Sequence, residues 1–440
     1  MGMLNLVSLT ARLRDCLLFA CAGLAAAQTP QFRAGVARVE LTPTGSMPMY
    51  GYSNRRCGPS NGIHDPLFAK VLVLEAGESR MAIVTLDLGS IVSNNLRRGV
   101  SEKLGIPVLL LAASHTHSGP SYLAPAGTGA GLTPNATASA YLAEIESKIF
   151  SAVKEAAGSM FPARIGVGRG SIRLGYNRLL PRDDGRSRAL FDNLERVPYG
   201  PLDPEYTLVR VEDDRGAVKA LMVHYAVHAV VMGPTNCKFS ADFPGVMQSR
   251  VEAEIPGAQC MFVQGGAGDI NPLFQARKGN DTEDFATLQK MGDLLAADVL
   301  KTAKKMHAEA PAKPSIQSTS QVLTFADRWD KEKRLDVGIT TVLLNGEIAI
   351  AAIPGEPHHK LQTMWKRQAD VPHALFYGYT FSSGGMWPGY IPDLRNAAYG
   401  GYGADVTTRV EIGAGETIMQ RHLINLYGLR GMWRDTQGKP

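Results

Sequence analysis

The stretch Val108-Leu109-Leu110-Leu111-Ala112-Ala113-Ser114-His115-Thr116-His117-Ser118-Gly119-Pro120 decides how the rest of this 440-residue chain is read. An unbroken apolar run closed by Gly-Pro describes a buried strand that ends in a sharp turn. In an extended segment residues i and i+2 point the same way, so His115 and His117 are expected side by side at the strand end. Such a pair suits a metal ligand with a neighbouring proton-transfer or substrate-positioning group. It equally suits one satisfied core histidine beside an exposed neighbour, so the choice rests on the other strand ends.

The pattern recurs along the chain. A hairpin of Phe68 to Leu74 and Met81 to Leu86, turning at Gly77-Glu78-Ser79, delivers Asp87. A second hairpin, Tyr206 to Val211 and Ala217 to Tyr225, runs on into His228. The short strand Met261 to Val263 precedes Gly265-Gly266-Ala267-Gly268-Asp269, and Glu347 to Ile353 precedes Pro354-Gly355-Glu356. Rigid strands fix side chains that loops expose, so Asp87, His115, His228, Asp269 and Glu356 are candidates for chemistry. Two histidines and a carboxylate suffice to hold catalytic zinc with a position left for water. The competing reading is that a few acids and histidines end strands by chance.

Further strands are expected at Phe32 to Leu41, Ala163 to Val167, Ser171 to Leu174 and Phe376 to Phe381. Helices are expected at Val92 to Leu104, Ser139 to Ala157, Pro244 to Glu254, Thr282 to Ala308, Pro357 to Gln368 and Glu416 to Leu426. A long Gly/Pro/Thr/Ala loop joins about Tyr122 to Ala136. Without a strict βαβ rhythm, repeat or long linker, the fold class is α/β, with mixed sheets, flanking helices and a single catalytic domain.

Composition narrows the function. Apolar residues make up 45% and charged residues 20%, as in a globular protein, and a net charge of +5 is spread along the chain. No zinc-finger spacing or aromatic-basic stripe is present, so no nucleic-acid partner is expected. The 46 Gly and 26 Pro fit a strand scaffold carrying many tight loops. Residues 1–27 read as a signal peptide: Arg12 and Arg14, an apolar run from Cys16, then Ala25-Ala26-Ala27. Export, to the periplasm or outside the cell, is therefore expected over a frayed cytosolic N-terminus. That run is too short to span a bilayer. Cys57, Cys237 and Cys260 remain after the leader, enough for one bridge and a free thiol.

Other motifs are set aside on physical grounds. His224 lies four strand residues before His228, about 13 Å away, too far to share one ion. His358 and His359 are expected on the surface of a first helical turn, and His64 in its tight loop is a second-tier candidate. No Gly-x-Ser-x-Gly elbow supports a serine hydrolase. The Gly265–Asp269 run lacks the spacing of a P-loop or dinucleotide fold, and reads as a turn that lets backbone approach a ligand.

The motifs taken in order resemble the neutral/alkaline non-lysosomal ceramidases, in their N-terminal catalytic domain. The carriers are Gly35-Val-Ala-Arg-Val-Glu-Leu-Thr-Pro43, Gly62-Ile-His64, Ser114-His-Thr-His-Ser-Gly-Pro120, Tyr176-Asn-Arg178, Ala226-Val-His228, Gly268-Asp-Ile-Asn-Pro272, Pro354-Gly-Glu356 and Gly389-Tyr-Ile-Pro392. The resemblance covers residues 32–440 and implies a zinc-dependent amidase acting on an N-acyl, ceramide-like lipid. It implies His115, His228, Glu356 and Tyr390 as metal ligands and His117 as the partner close to substrate. Arg178 would contact the polar part of the substrate and Tyr402 would stabilise the oxyanion. Asp87 and Asp242 are candidates to orient the histidines.

Without the family, Tyr390 and Tyr402 read as loop aromatics packed on the surface. Two departures stand out: Asn271 replaces the family serine, and no C-terminal immunoglobulin-like domain is expected. Two rivals remain. One is a zinc hydrolase of the same scaffold cleaving an ester, lactone or sugar-linked amide; the other is a non-catalytic binding protein. The partner is a small-molecule or lipid substrate, with transient membrane-surface contact and no transmembrane segment.

Overall fold

Strand alternation builds the architecture. In Phe68–Ala76, Ala69, Val71 and Val73 pack beneath the helices Asn94–Leu104 and Ala136–Gly158, while Leu72, Leu74 and Ala76 face the opposite way. The strand Val218–Tyr225 divides similarly, with Leu221 and Val223 toward the helices Asp242–Glu254 and Asp281–Ala303, and Ala220 and Met222 away from them. The computed structural model, which describes residues 31–55, 57–122 and 136–433, joins these strands in one nine-stranded sheet. The leader, residues 1–27, and residues 123–135 of the glycine-rich loop lie outside the described residues.

The sheet runs in the order Gln259–Gln264, Val218–Tyr225, Glu205–Asp213, Phe161–Ser171, Phe32–Glu40, Phe68–Ala76, Ser79–Leu86, Val108–Ala113, Thr380–Phe381. Its inner face meets a four-stranded sheet of Ile316–Ala326, Arg334–Leu344, Ile348–Ala352 and His373–Tyr377. Leu72, Leu74, Ile83 and Leu110 from one sheet meet Val342, Leu344, Ile350 and Leu375 from the other. Each such side chain contributes about 1.5–3 kcal/mol by leaving water. The small sheet's outer face is covered by the helices His359–Gln368 and Ala414–Leu429, through Leu361, Trp365, Ile418 and Leu426. The layers therefore run helix, sheet, sheet, helix. This mixed α/β arrangement is the expected class.

Three parallel crossovers interrupt the antiparallel pairing and position the site. Ser79–Leu86 pairs in parallel with Val108–Ala113, Val218–Tyr225 with Gln259–Gln264, and Ile348–Ala352 with His373–Tyr377. Each pair is joined by a helix: Asn94–Leu104, Asp242–Glu254 or His359–Gln368. In open α/β sheets ligands gather at the carboxyl ends of such strands. His115, His228 and Glu356 each follow one of these ends.

Some expectations are corrected. Phe161–Ser171 is one long strand rather than two short ones, paired along its length with Glu205–Asp213. The hairpin Ile316–Ala326 and Arg334–Leu344 had no counterpart in the sequence reading. Gly35, in the first motif, has a packing role: a Cβ there would lie 1.9 Å from the Ala156 carbonyl oxygen of the covering helix. Cys57 and Cys237 form a disulfide, and Cys260 is a buried free thiol. No helix among the described residues is long and apolar enough to cross a membrane.

Candidate metal centre

The opening motif leaves the strand before its histidines. Val108–Ala113 ends, and His115 takes a left-handed backbone, φ 63°. The two imidazoles are therefore brought together by a turn rather than by strand alternation. Their Nε2 atoms are 3.2 Å apart. The turn is tied by His115 N–H to the Leu88 carbonyl and His117 N–H to the Ala229 carbonyl. Gly51, at φ 97°, passes so close to His117 that a Cβ would lie 2.2 Å from the ring. Only a glycine fits there.

His228 and Glu356 complete the convergence. Nε2 of His115 and Nε2 of His228 each lie 3.2 Å from the same Glu356 Oε2. Glu356 is delivered by Gly355, at φ 84°, and its two-residue strand pairs in parallel with Tyr390–Ile391. The three histidines' ligand atoms all lie within 4.8 Å of one another, so His117, expected to face substrate, sits in the same cluster.

The tautomers follow from the other ring nitrogen. Nδ1 of His115 is 2.6 Å from the Gly89 carbonyl oxygen, and Nδ1 of His228 is 2.5 Å from that of Ala267. A carbonyl only accepts, so each Nδ1 carries a proton, and Nε2 is the ring atom that each histidine turns toward the carboxylate. Burial, only partly opposed by Glu356, pushes His228 down to about 4, and burial also holds His117 well below the usual histidine range. Burial alone would raise Glu356, but the His115 and His228 contacts outweigh it and keep it ionised. Two imidazole Nε2 atoms and a carboxylate thus converge on one point, a donor set compatible with a bound cation. Ligands 2.0–2.1 Å from a tetrahedral ion stand about 3.3 Å apart, so the 3.2 Å spacings fit.

Beside this centre lies a cation among aromatics. Arg178 is buried, with Nη1 donating to Asn271 Oδ1 at 3.0 Å and Nη2 to the Gly268 carbonyl at 2.6 Å. Its guanidinium stands 5.4 Å from the Tyr390 ring centre and 5.3 Å from that of Tyr402. Burial would lower its pKa, but the two phenols and Glu356 keep it charged. Tyr390 is buried, not the surface aromatic of the family-free reading, whereas Tyr402 is 39% exposed. Burial and the charge of Glu356 hold both phenols protonated.

Several expected roles fall elsewhere. Asp87 accepts from Phe68 N–H and Gln248, and Asp242 from Val231, Met232 and Phe243 N–H, so backbone carbonyls orient the histidines instead. His358 and His359 are buried rather than on the surface. His359 Nδ1 is 2.6 Å from Asp269 Oδ2, and His358 Nε2 is 3.0 Å from the Gly403 carbonyl oxygen. Gly265, Gly266 and Gly268 admit the segment from Glu356 to Gln362 rather than a ligand. His64 is exposed and stacks on Phe285 at 3.6 Å, away from the centre. Tyr50 and Tyr379, not among the candidate site residues of the sequence reading, have ring centres 5.5 and 4.5 Å from that of His115. Tyr50 lay in plain view as a loop aromatic in Met49-Tyr50-Gly51-Tyr52, with nothing to mark its partner.

Fold and site together define a mixed α/β domain with a histidine-carboxylate centre, compatible with a metal, at the ends of its parallel strands. The family profile described as neutral/alkaline non-lysosomal ceramidase, N-terminal, matches residues 32–324, and the chain belongs to this family. It is 26% identical to the neutral ceramidase of Pseudomonas aeruginosa over 300 residues, 62% of this chain and 42% of that protein. To the neutral ceramidase of Drosophila pseudoobscura pseudoobscura it is 23% identical over 333 residues, 69% of this chain and 44% of that one. The chain thus spans less than half the length of these relatives. The crystal structure of the Pseudomonas aeruginosa neutral ceramidase shares the fold, with TM-score 0.74 and 17% identity over 92% of this chain and 76% of that one. A structure of ceramidase complexed with C2 matches equally, with TM-score 0.74 and 17% identity over 91% and 76%.

Proposed function

We propose that this chain is a zinc-dependent hydrolase that cleaves the amide bond of an N-acyl, ceramide-like lipid, acting after export. The observation that carries the reading is the convergence of two Nε2 atoms on the Glu356 carboxylate, each at 3.2 Å. His115, His228, Glu356 and Tyr390 would hold the ion. Bound zinc would supply a Lewis acid and a water whose pKa falls to about 7. Tyr390, kept protonated by burial and Glu356, needs the charge of a cation to become a ligand.

The chain's own residues would do the rest. Arg178, fixed by Asn271 and Gly268, would meet the polar part of the substrate. Tyr402, partly exposed and protonated, would donate to the oxygen that gains charge as the carbonyl is attacked. His117, with its Nε2 3.2 Å from that of His115, would be the partner close to the substrate. Asn271 offers no nucleophile, and its contact with Arg178 gives that position an orienting role.

Hydrolysis of a fluorescent N-acyl sphingosine, set against simpler amides, esters and lactones, tests the reading. The N-acyl sphingosine is expected to have the highest kcat/KM. Ester cleavage with no turnover of any amide would overturn the amidase assignment.

A further inference from the structure

Tyr379 is fully buried one residue past the strand His373–Tyr377, with Gly378 between. Its backbone is left-handed at φ 55°, a conformation that costs a residue other than glycine about 1–3 kcal/mol. Neighbours on both sides hold it there. Its N–H donates to the Gly355 carbonyl at 3.0 Å, and its carbonyl accepts from Ala113 N–H at 3.1 Å. Tyr379 therefore joins the turn that delivers Glu356 to the strand end that delivers His115. Its ring centre is 4.5 Å from that of His115, 6.0 Å from that of His228 and 6.2 Å from that of Trp387.

Its hydroxyl is buried with no hydrogen-bond partner, alone among the buried tyrosine hydroxyls of the described residues. Tyr122, Tyr141 and Tyr225, by contrast, each donate to a backbone carbonyl at 2.6 to 2.7 Å. An unpaired buried hydroxyl is destabilising, and phenylalanine would pack the same space without it. Its N–H bond to the Gly355 carbonyl and its ring contacts with His115 and His228 set this residue directly against the centre. A strained backbone and an unpaired donor coincide at one residue, against the groups assigned to the chemistry.

We propose that Tyr379 is a further catalytic residue, whose O–H donates a hydrogen bond to the hydrolytic water at the centre formed by His115, His228 and Glu356. The role rests on the hydrolase reading above. No bond to Tyr379 forms or breaks; the phenol keeps its proton and fixes the water's lone pairs toward the substrate carbonyl.

The test is Tyr379→Phe in the full chain. Expected are a kcat at least about tenfold lower, a KM within twofold and unchanged metal content. The melting temperature should be equal or higher in both metal-free and metal-loaded protein, since a hydroxyl without a partner is removed. Affinity for acetohydroxamate, whose oxygens take the water's place, should fall at least about fivefold by calorimetry. A kcat and a hydroxamate affinity both within twofold of wild type would overturn the inference. So would a lower melting temperature in the metal-free variant, which would mark a structural hydroxyl. If the wild type hydrolyses nothing in the substrate panel, the functional reading fails by itself and the hydroxamate affinity decides Tyr379.

Discussion

Two buried clusters in this protein use the same residue types to opposite ends. At one, Glu356 faces His115 and His228; at the other, Asp269 faces His359. Around Asp269 every partner is a donor. His359 offers its Nδ1 at 2.6 Å and its backbone N–H at 2.9 Å, and Asn177 offers its amide at 3.0 Å. The pair is complete within the protein. Around Glu356 the histidines turn Nδ1 to the Gly89 and Ala267 carbonyls, and it is their Nε2 atoms that converge on the carboxylate. What separates a structural ion pair from a metal centre here is which ring nitrogen the backbone has taken.

Breaking each cluster should therefore give different losses. The largest effect is expected from His228→Ala, which should remove the bound metal and lower turnover by at least about a thousandfold while the circular dichroism spectrum stays that of the wild type. Metal retained at wild-type stoichiometry would mean the cluster is not the binding site.

Next in size is Asp269→Ala, which leaves His359 without its partner and should cost about 3–5 kcal/mol in urea unfolding. Glu356→Gln in metal-free protein should cost less, because the amide still bonds to the two Nε2 atoms. Equal destabilisation by both changes would erase the distinction.

A pH series sharpens the comparison. Burial would raise Asp269, but the His359 charge outweighs it and lowers its pKa, while Asp269 raises that of His359 despite burial. The Asp269 contribution is present above its unfolded value of about 3.9 and fades as pH falls through the lowered folded value. The His359 contribution is full below about 6.5 and fades as pH rises through the raised folded value. Wild-type stability should therefore plateau between about pH 4 and 6.5 and decline on both sides. Asp269→Asn should lack both slopes attributable to the pair.

The smallest effect is expected at Asn271→Ser. If the nucleophile is water, the rate should stay within about an order of magnitude, reflecting a changed hold on Arg178. A gain of several orders would reveal a serine mechanism.

Much of the scaffold was legible because its strands are strongly apolar, and the strand-end acids and histidines stood out against them. The hairpin Ile316–Ala326 with Arg334–Leu344 escaped because its outer strand is half exposed and polar at Gln317, Ser318, Thr319, Ser320 and Gln321. A strand of that composition gives little periodic signal. The burial of His358 escaped because its partners, Asn396 in the short helix Leu394–Tyr399 and Gly403 in the loop after it, lie far along the chain. The left-handed turn at His115 and the carbonyls that set the tautomers also have no mark in side-chain sequence. Local pattern thus located the candidate residues, while backbone geometry decided which ring atoms converge on Glu356.

The most direct test of that claim is the metal content of the purified chain, by mass spectrometry, for wild type, His115→Ala, Glu356→Ala and Asp269→Asn. The account predicts about one ion per chain in wild type and in Asp269→Asn, and almost none in the other two. Metal-free wild-type protein with full hydrolytic activity would contradict it, as would His115→Ala and Glu356→Ala proteins that keep their ion.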